Sequence, residues 1–458
     1  MKIGFLPLYI ELYDRVNSPR ARKEAFYETL ACAFEAKGVE VIRTPFCRLD
    51  AEFKEAVLGY EAAGADAIVT WHPAYSPSLE SLTALISTAL PIVVLDTTVA
   101  EDFSPSQDSS YTADCHGIHG VMDMCSMLRR YGKDYAIAAG HYPTSDVLDR
   151  AIGYVKAAVA AGALPGSRVG TIGKSFPGMG DFLISDADIA ARFGVEVVHA
   201  DAKELRVLAA EATEEEIAAE MAADLDGAAL LTEIPANKHY TTVKNCLAVR
   251  KWLANNDIAA FTVNFLDITP EVGLDIMPFM EASKAMARGI GYAGEGDILT
   301  AALVGALLKG FGEAAFVEIF CPDWKNGTLF LSHMGEVNYA LCTHKPTLKE
   351  VNFIYGKAEN PIVGYACYKA GPATFVNLYA DADGYKLLVA PVTMEEPTGE
   401  DNFVDRVRGW MRPAMSTADF LEKISTAGAT HHSALVYGAT PAELAYFGRL
   451  LGLEVISL

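Results

Sequence analysis

Positive charge is scarce in this sequence. Across 458 residues, 37 lysines and arginines face 59 aspartates and glutamates, for a formal net charge of −22. That sign argues against nucleic acid and anionic membrane surfaces as partners. It is indifferent to a small neutral substrate. Cysteine is sparse and unpatterned: eight residues, none in a C-x-x-C arrangement. This reads as reduced thiols filling cores in a cytoplasmic protein. No run approaches the ~18–20 apolar residues of a membrane helix. The stretch MKIGFLPLYIELYDR meets charge too soon for a secretory signal and reads instead as a first strand. Internal repeats, a low-complexity tail, G-x-S-x-G and H-E-x-x-H are all missing.

What is present is the composition of a soluble globular protein, 51% hydrophobic and 21% charged, long enough for several cores. Residues 1–165 alternate strand and helix: KIGFLPL, a helix over 18–38, VEVIRTP, a helix near 51–63, ADAIVTWHP, a helix near 77–88, and PIVVLD. That series predicts a parallel sheet, with ligands gathering at the carboxyl ends of its strands. A second α/β unit, 166–313, opens with SRVGTIG and continues through VEVVHAD, a helix over 203–224 and IAAFTVNF. From 314 to 458 short strands dominate, among them AAFVEIF, GTLFLSHM, NFIYG and PIVGYACY. The expectation is an α/β chain: two Rossmann-like or flavodoxin-like parallel-sheet domains, then a β-rich, barrel-like C-terminal domain.

Two nucleotide-like motifs fail their context. GIGYAG (289–294) fits G-x-G-x-x-G, but the apolar segment before it reads as a helix where the dinucleotide fold needs a strand. GTIGKS (170–175) resembles a phosphate loop, but Arg168 stands where its first glycine belongs.

The informative oddity is Glu318, a carboxylate inside the apolar strand AAFVEIFC. Left unpaired there, it would cost several kcal/mol or lose its charge. Asn326-Gly327 reads as a two-residue hairpin turn. That register sets Glu318 opposite Gly335, with His333 two residues away on the same face, roughly 7–8 Å between Cα atoms. A Glu and a His so placed can share one ion. Glu295 lies in GYAGEGD between two glycines, ahead of Asp297, a candidate N-cap for an apolar helix from Ile298 to about Leu308. His431 and His432 are adjacent in AGATHHSAL. In an extended segment they point to opposite sides, so one serves as a ligand and the other contacts substrate or supports the site. Two glutamates and two histidines suit Mn²⁺ or a similar divalent ion, such as Co²⁺ or Mg²⁺, better than Ca²⁺ or structural zinc. Such an ion can polarise a carbonyl and its neighbouring hydroxyl and acidify the C–H between them, while a carboxylate carries the proton.

At these residues the sequence resembles the L-arabinose isomerase family of the arabinose/fucose isomerase fold. The resemblance rests on GYAGEGDILTAAL, FVEIF, LFLSHMGEV, GPATFVNLYADADGYKLLV and AGATHHSAL, in that order. It implies an aldose–ketose isomerase with metal ligands Glu295, Glu318, His333 and His432, the two glutamates also forming the acid/base pair. It implies substrate contacts from His116 in YTADCHGIHG and Met179 in SFPGMGDF, with His431 as the non-ligand histidine. It further implies a homotrimer or homohexamer with sites at subunit interfaces. Two positions depart from the family pattern: Ile298 replaces an aromatic and Ile319 an acid. They spare the ligands but alter their surroundings, which leaves a pentose, a hexose or a modified sugar as substrate. Two other readings are a non-catalytic sugar sensor on the same fold, and a metal-dependent epimerase or aldolase.

Overall fold

The computed structural model describes residues 1–15, 20–230, 232–269 and 271–458. The chain separates into two compact units, Met1–Gly162 and Ala163–Leu458. The segments read as 166–313 and 314–458 both fall in the second.

The first unit is a parallel sheet of β1 (Lys2–Pro7), β2 (Glu40–Arg43), β3 (Ala67–Trp71), β4 (Ile92–Asp96) and β5 (Tyr135–Ala139), in the order β2-β1-β3-β4-β5. This is the flavodoxin-like order. Its inner strands β1, β3 and β4 are buried on both faces because helices cover both. Leu6, Ile68 and Val94 pack there against Leu85 and Leu128. The first helix runs Arg20–Ala36. Its expected start at Ser18 and Pro19 lies outside the described residues.

The second unit joins a parallel sheet to a barrel. The sheet contains β6 (Arg168–Ile172), β7 (Glu196–His199), β9 (Ala260–Val263) and β10 (Gly291–Gly294), ordered β10-β9-β6-β7. The helix expected over 203–224 is two helices, Ala202–Ala210 and Glu214–Asp226. Thr213 interrupts it by forming a capping box with Glu216. Here the local hydrogen bonds of a cap outweigh the helix preference of the flanking alanines and glutamates.

The barrel is built from β11 (Ala314–Asp323), β12 (Thr328–Leu331), β15 (Gly371–Asp381), β16 (Gly384–Glu395), β17 (Gly409–Pro413) and β18 (His432–Tyr437). Its antiparallel order β15-β18-β11-β12-β17-β16 closes through the β15–β16 pairing, and β19 (Glu454–Ser457) adds parallel to β16. A small sheet links β8 (Ala229–Leu230), β13 (Thr347–Glu350) and β14 (Ile362–Tyr365). NFIYG forms no strand, since the pairing of β13 with β14 ends at Glu350 and Ile362. The helix Ile298–Phe311 lies against β9 and β10 on one side and β11 and β18 on the other. Every residue from Ile298 to Leu308 is buried, which is why ILTAALVGALL is apolar all round.

Candidate active site

Glu295 follows β10 at its carboxyl end. It adopts φ 62°, a left-handed conformation unusual for a non-glycine residue. Strain of this kind gathers where a side chain must be aimed. The flanking glycines have physical reasons. A Cβ on Gly294 would come within 2.8 Å of His333 Cε1, and one on Gly296 within 2.5 Å of the Ser175 Cα. Asp297 caps the next helix, accepting from the Thr300 amide at 2.9 Å.

Glu318 sits on an interior strand, between β12 and β18. Directly across β18 its partner is His432. The hairpin register differs from the sequence expectation. Asp323 pairs with Thr328, and a bulge between Ile319 and Cys321 shifts the ladder, so that Leu331 faces Ile319. The connection spans Trp324–Gly327, where Asp323 holds the Asn326 amide at 3.0 Å and makes a longer loop. The Ser332 amide bonds the Glu318 carbonyl at 3.2 Å, so the residue opposite Glu318 is Ser332, not Gly335. His333, one position beyond, still turns in: its Nε2 lies 3.7 Å from Glu318 Oε2.

His432 opens β18, and its ring is fully buried. His431 precedes the strand, so the alternation expected of an extended segment does not apply to it. Both rings face the acids, with centroids 4.3 Å apart. His432 Nε2 is 3.6 Å from Glu295 Oε2 and 3.9 Å from Glu318 Oε1. His431 Nε2 is 3.3 Å from Glu318 Oε1 and 3.8 Å from Glu295 Oε2. Asn377 fixes this segment: its side-chain amide donates to the carbonyls of Thr430 and His432, each at 2.8 Å.

Three histidines therefore aim Nε2 at two carboxylates, and each Nδ1 meets a carboxylate of its own. His333 pairs with Glu336 at 2.6 Å, His431 with Asp181 at 2.6 Å, and His432 with Asp297 at 2.9 Å. Tyr292 donates to the far oxygen of Glu336 at 2.7 Å. Carboxylates in these positions fix ring orientation and raise ligand basicity. Phe316 presses edge-on against His333 and His432, each at 4.9 Å, and Phe182 stacks on His432 at 4.8 Å.

The electrostatics follow from this crowding. Burial would raise the Glu295 carboxyl, but the imidazoles of His431 and His432 outweigh it and bring it to about 2. Burial would lower both histidines. Glu295 and Asp181 raise His431 to about 9, and Asp297 and Glu295 raise His432 to about 9. His333 is likewise raised, against burial, by Glu336 and Glu318. Glu295 Oε2 and His432 Nε2 are buried without a hydrogen-bond partner. Orphaned donors and acceptors of this kind carry a desolvation cost. Glu295, His431 and His432 form one group with ion-holding spacing, and Glu318, His333 and His432 another. The donor set and its orphaned atoms fit a divalent cation.

Of the residues singled out in the sequence, Glu295, Glu318, His333, His431 and His432 are brought together. Met179 is half-buried in the loop 173–184, which also supplies Asp181 and Phe182. His116 belongs to the first unit, where its Nε2 meets the Tyr13 hydroxyl at 3.0 Å. Sequence reasoning missed Asp181, Phe182, Glu336 and the second role of Asp297. The spacing HMGE offered a signal for Glu336. Nothing local pointed to Asp181, 250 positions before His431 in the chain.

Residues 185–312 match the L-arabinose isomerase central domain, and residues 313–454 match the L-arabinose isomerase C-terminal domain. An L-arabinose isomerase of Nocardioides sp. is 24% identical over 91% of this chain and 85% of its own length. That of Acidothermus cellulolyticus is 26% identical over 86% and 81%. That of Leuconostoc mesenteroides is 29% identical over 47% of this chain, a match spanning 46% of that relative's length. A solved periplasmic solute binding protein from Actinobacillus succinogenes, with bound D-allose, covers 67% of this chain and 90% of its own, at 11% identity. Its TM-score of 0.18 supports no argument. The family models and the relatives place the chain among the aldose–ketose isomerases, a class of intramolecular oxidoreductases. It belongs to the L-arabinose isomerase family, as a divergent member.

Proposed function

We propose that this chain is a metal-dependent aldose–ketose isomerase acting on a pentose, hexose or modified sugar. The observation that carries the reading is the convergence of three imidazole Nε2 atoms on two carboxylates, with Glu295 Oε2 and His432 Nε2 buried and without a hydrogen-bond partner. Glu295, Glu318, His333 and His432 would hold the ion: Mn²⁺, or Co²⁺ or Mg²⁺ in its place. When bound, it polarises a carbonyl and the adjacent hydroxyl of an open-chain sugar. The chain's own residues then move the proton. One glutamate takes it from the hydroxyl-bearing carbon next to the carbonyl, giving an enediol-type state. The acid/base pair returns a proton to the former carbonyl carbon, while the hydroxyl proton passes from its oxygen, which becomes the new carbonyl, to the other oxygen. Phe316 and Phe182 keep water from the imidazoles. His431 also lies at ion-holding spacing from Glu295 and His432; in this reading it serves the substrate, and the other four hold the ion.

The net charge of −22 argues against nucleic acid and anionic membranes as partners and is indifferent to a small neutral substrate. Further parts of the reading are a cytoplasmic enzyme and an assembly of three or six copies, with His116 reaching a neighbour's site. The sensor reading predicts a degraded ligand set, whereas all four ligand positions carry ligand side chains.

The test is a screen of aldoses and ketoses with Mn²⁺, with and without EDTA. Interconversion of at least one aldose–ketose pair, lost with EDTA and restored by Mn²⁺, is the expected result. No interconversion together with no copurifying metal would sink the proposal. A cleaved carbon chain among the products would make the protein an aldolase.

A further inference from the structure

His431 lies ahead of its strand, and its side chain is 37% exposed. An imidazole so placed has many orientations available. The one it adopts, with Nε2 toward Glu318, depends on a distant loop. Asp181 Oδ2 accepts from the His431 backbone amide at 3.0 Å and meets Nδ1 at 2.6 Å. One carboxylate oxygen thereby fixes both the main chain and the ring. The next residue, Phe182, is buried and lies nearly parallel to the His432 ring, at 6°. The same loop grips the other glutamate's turn: the Phe176 amide bonds the Glu295 carbonyl at 2.9 Å, and Ser175 Oγ the Gly296 carbonyl at 3.1 Å. Its start is tied down in turn by Asn264, which donates to the Lys174 carbonyl at 2.7 Å.

From this geometry we infer that Asp181 is a positioning residue for substrate recognition. It acts through His431, holding Nε2 toward the space beside Glu318, and does not serve the metal set. The loop 173–184 is thus a clamp with two jaws, Ser175 and Phe176 on the Glu295 turn and Asp181 and Phe182 on the histidine pair. The inference rests on the isomerase reading for the identity of the ligand, a sugar hydroxyl or carbonyl oxygen. It does not rest on it for the orientation of His431.

The experiment compares Asp181→Ala and Asp181→Asn in the full chain loaded with Mn²⁺. In Asp181→Ala, KM for the sugar found in the screen should rise about 10- to 100-fold, the range for loss of a group that orients another. The affinity for Mn²⁺, titrated by electron paramagnetic resonance, should stay within about twofold, because the four ligands keep their own partners. The isosteric Asp181→Asn, still an acceptor for the backbone amide, should fall between wild type and Asp181→Ala. A crystal structure of Asp181→Ala should show His431 turned away, with Glu295, Glu318, His333 and His432 in place. An unchanged KM, or a loss of Mn²⁺ affinity as large as the loss in KM, would overturn the inference. So would a His431 ring that keeps its orientation without Asp181. If wild type converts no sugar at all, the isomerase reading fails, and the crystallographic arm still decides the role of Asp181.

Discussion

Glu318 is where a residue-scale argument pays most, because an ionisable group stands in a strand that is buried from Ala314 to Val317. Exchange to Gln keeps the shape and the strand pairing but removes the charge that a base requires. Turnover should fall by about 10²–10⁴-fold, the usual contribution of a positioned acid or base. The circular dichroism spectrum should remain that of wild type. Persisting activity would relieve Glu318 of its role. Gly294 offers a subtler test. A Cβ there would lie 2.8 Å from His333 Cε1 and 3.1 Å from Nε2, and Glu336 holds the other side of that ring at 2.6 Å. The imidazole has nowhere to retreat. Gly294→Ala should therefore weaken Mn²⁺ binding by about 10- to 100-fold, read by metal titration. At this scale the odd carboxylate and the glycine-flanked glutamate were legible in the sequence because each broke a local pattern. Asp181 was not legible, since an aspartate in a polar loop breaks none.

At the scale of elements, the site hangs on the seam between β10 and the helix Ile298–Phe311. Gly291 and Gly305 let the two backbones touch: a Cβ on Gly291 would fall 2.3 Å from the Gly305 nitrogen and 2.5 Å from the Ala301 carbonyl oxygen. Backbone atoms cannot rotate out of the way. Gly291→Ala should cost about 1–3 kcal/mol as overpacking, seen as a lower urea midpoint. It should also reduce activity, because the same helix presents Asp297 to His432. An unchanged midpoint would mean that the seam is looser than these distances imply. Most elements followed from periodicity and apolar runs, with NFIYG and the split helix near 203–224 as exceptions, and the fully buried helix after Asp297 was plain in ILTAALVGALL. Register was another matter. The Asn-Gly turn suggested a tight hairpin, but Asp323 captured the Asn326 amide and made a longer connection. His333 still reached Glu318, because a bulge and the strand end turned it inward.

For the whole molecule, the proposed metal site would link ion binding to pH. Without metal, His431 and His432 are held at about 9, above the ordinary 6.5. The stability they add is full below about pH 6.5 and is lost as pH rises through 9. Glu295, held at about 2 against an ordinary 4.5, adds stability above about pH 4.5 that is lost as pH falls toward 2. The melting temperature of the EDTA-treated protein should therefore be highest between these limits. An ion needs unprotonated imidazole, so Mn²⁺ binding at pH 7.5 should release about one proton or more, and its affinity should climb from pH 6.5 to 9. Calorimetry in two buffers of different ionisation enthalpy reads the released protons. A binding enthalpy independent of buffer would contradict the protonated imidazoles.

Chain order, composition and pattern were enough to read the α/β class, the barrel-forming tail and the residue types of a candidate ion-holding site. Hydrophobic periodicity and a charge in the wrong place are local properties, and local properties can be read along a line. Tertiary structure alone decided which atoms face one another. It set His432 across from Glu318, brought both neighbouring histidines to the acids, and carried Asp181 across 250 positions to His431. Those outcomes come from barrel closure, a bulge and a loop returning from the parallel sheet. Each is a balance of packing between segments far apart in the chain, and no single segment encodes it.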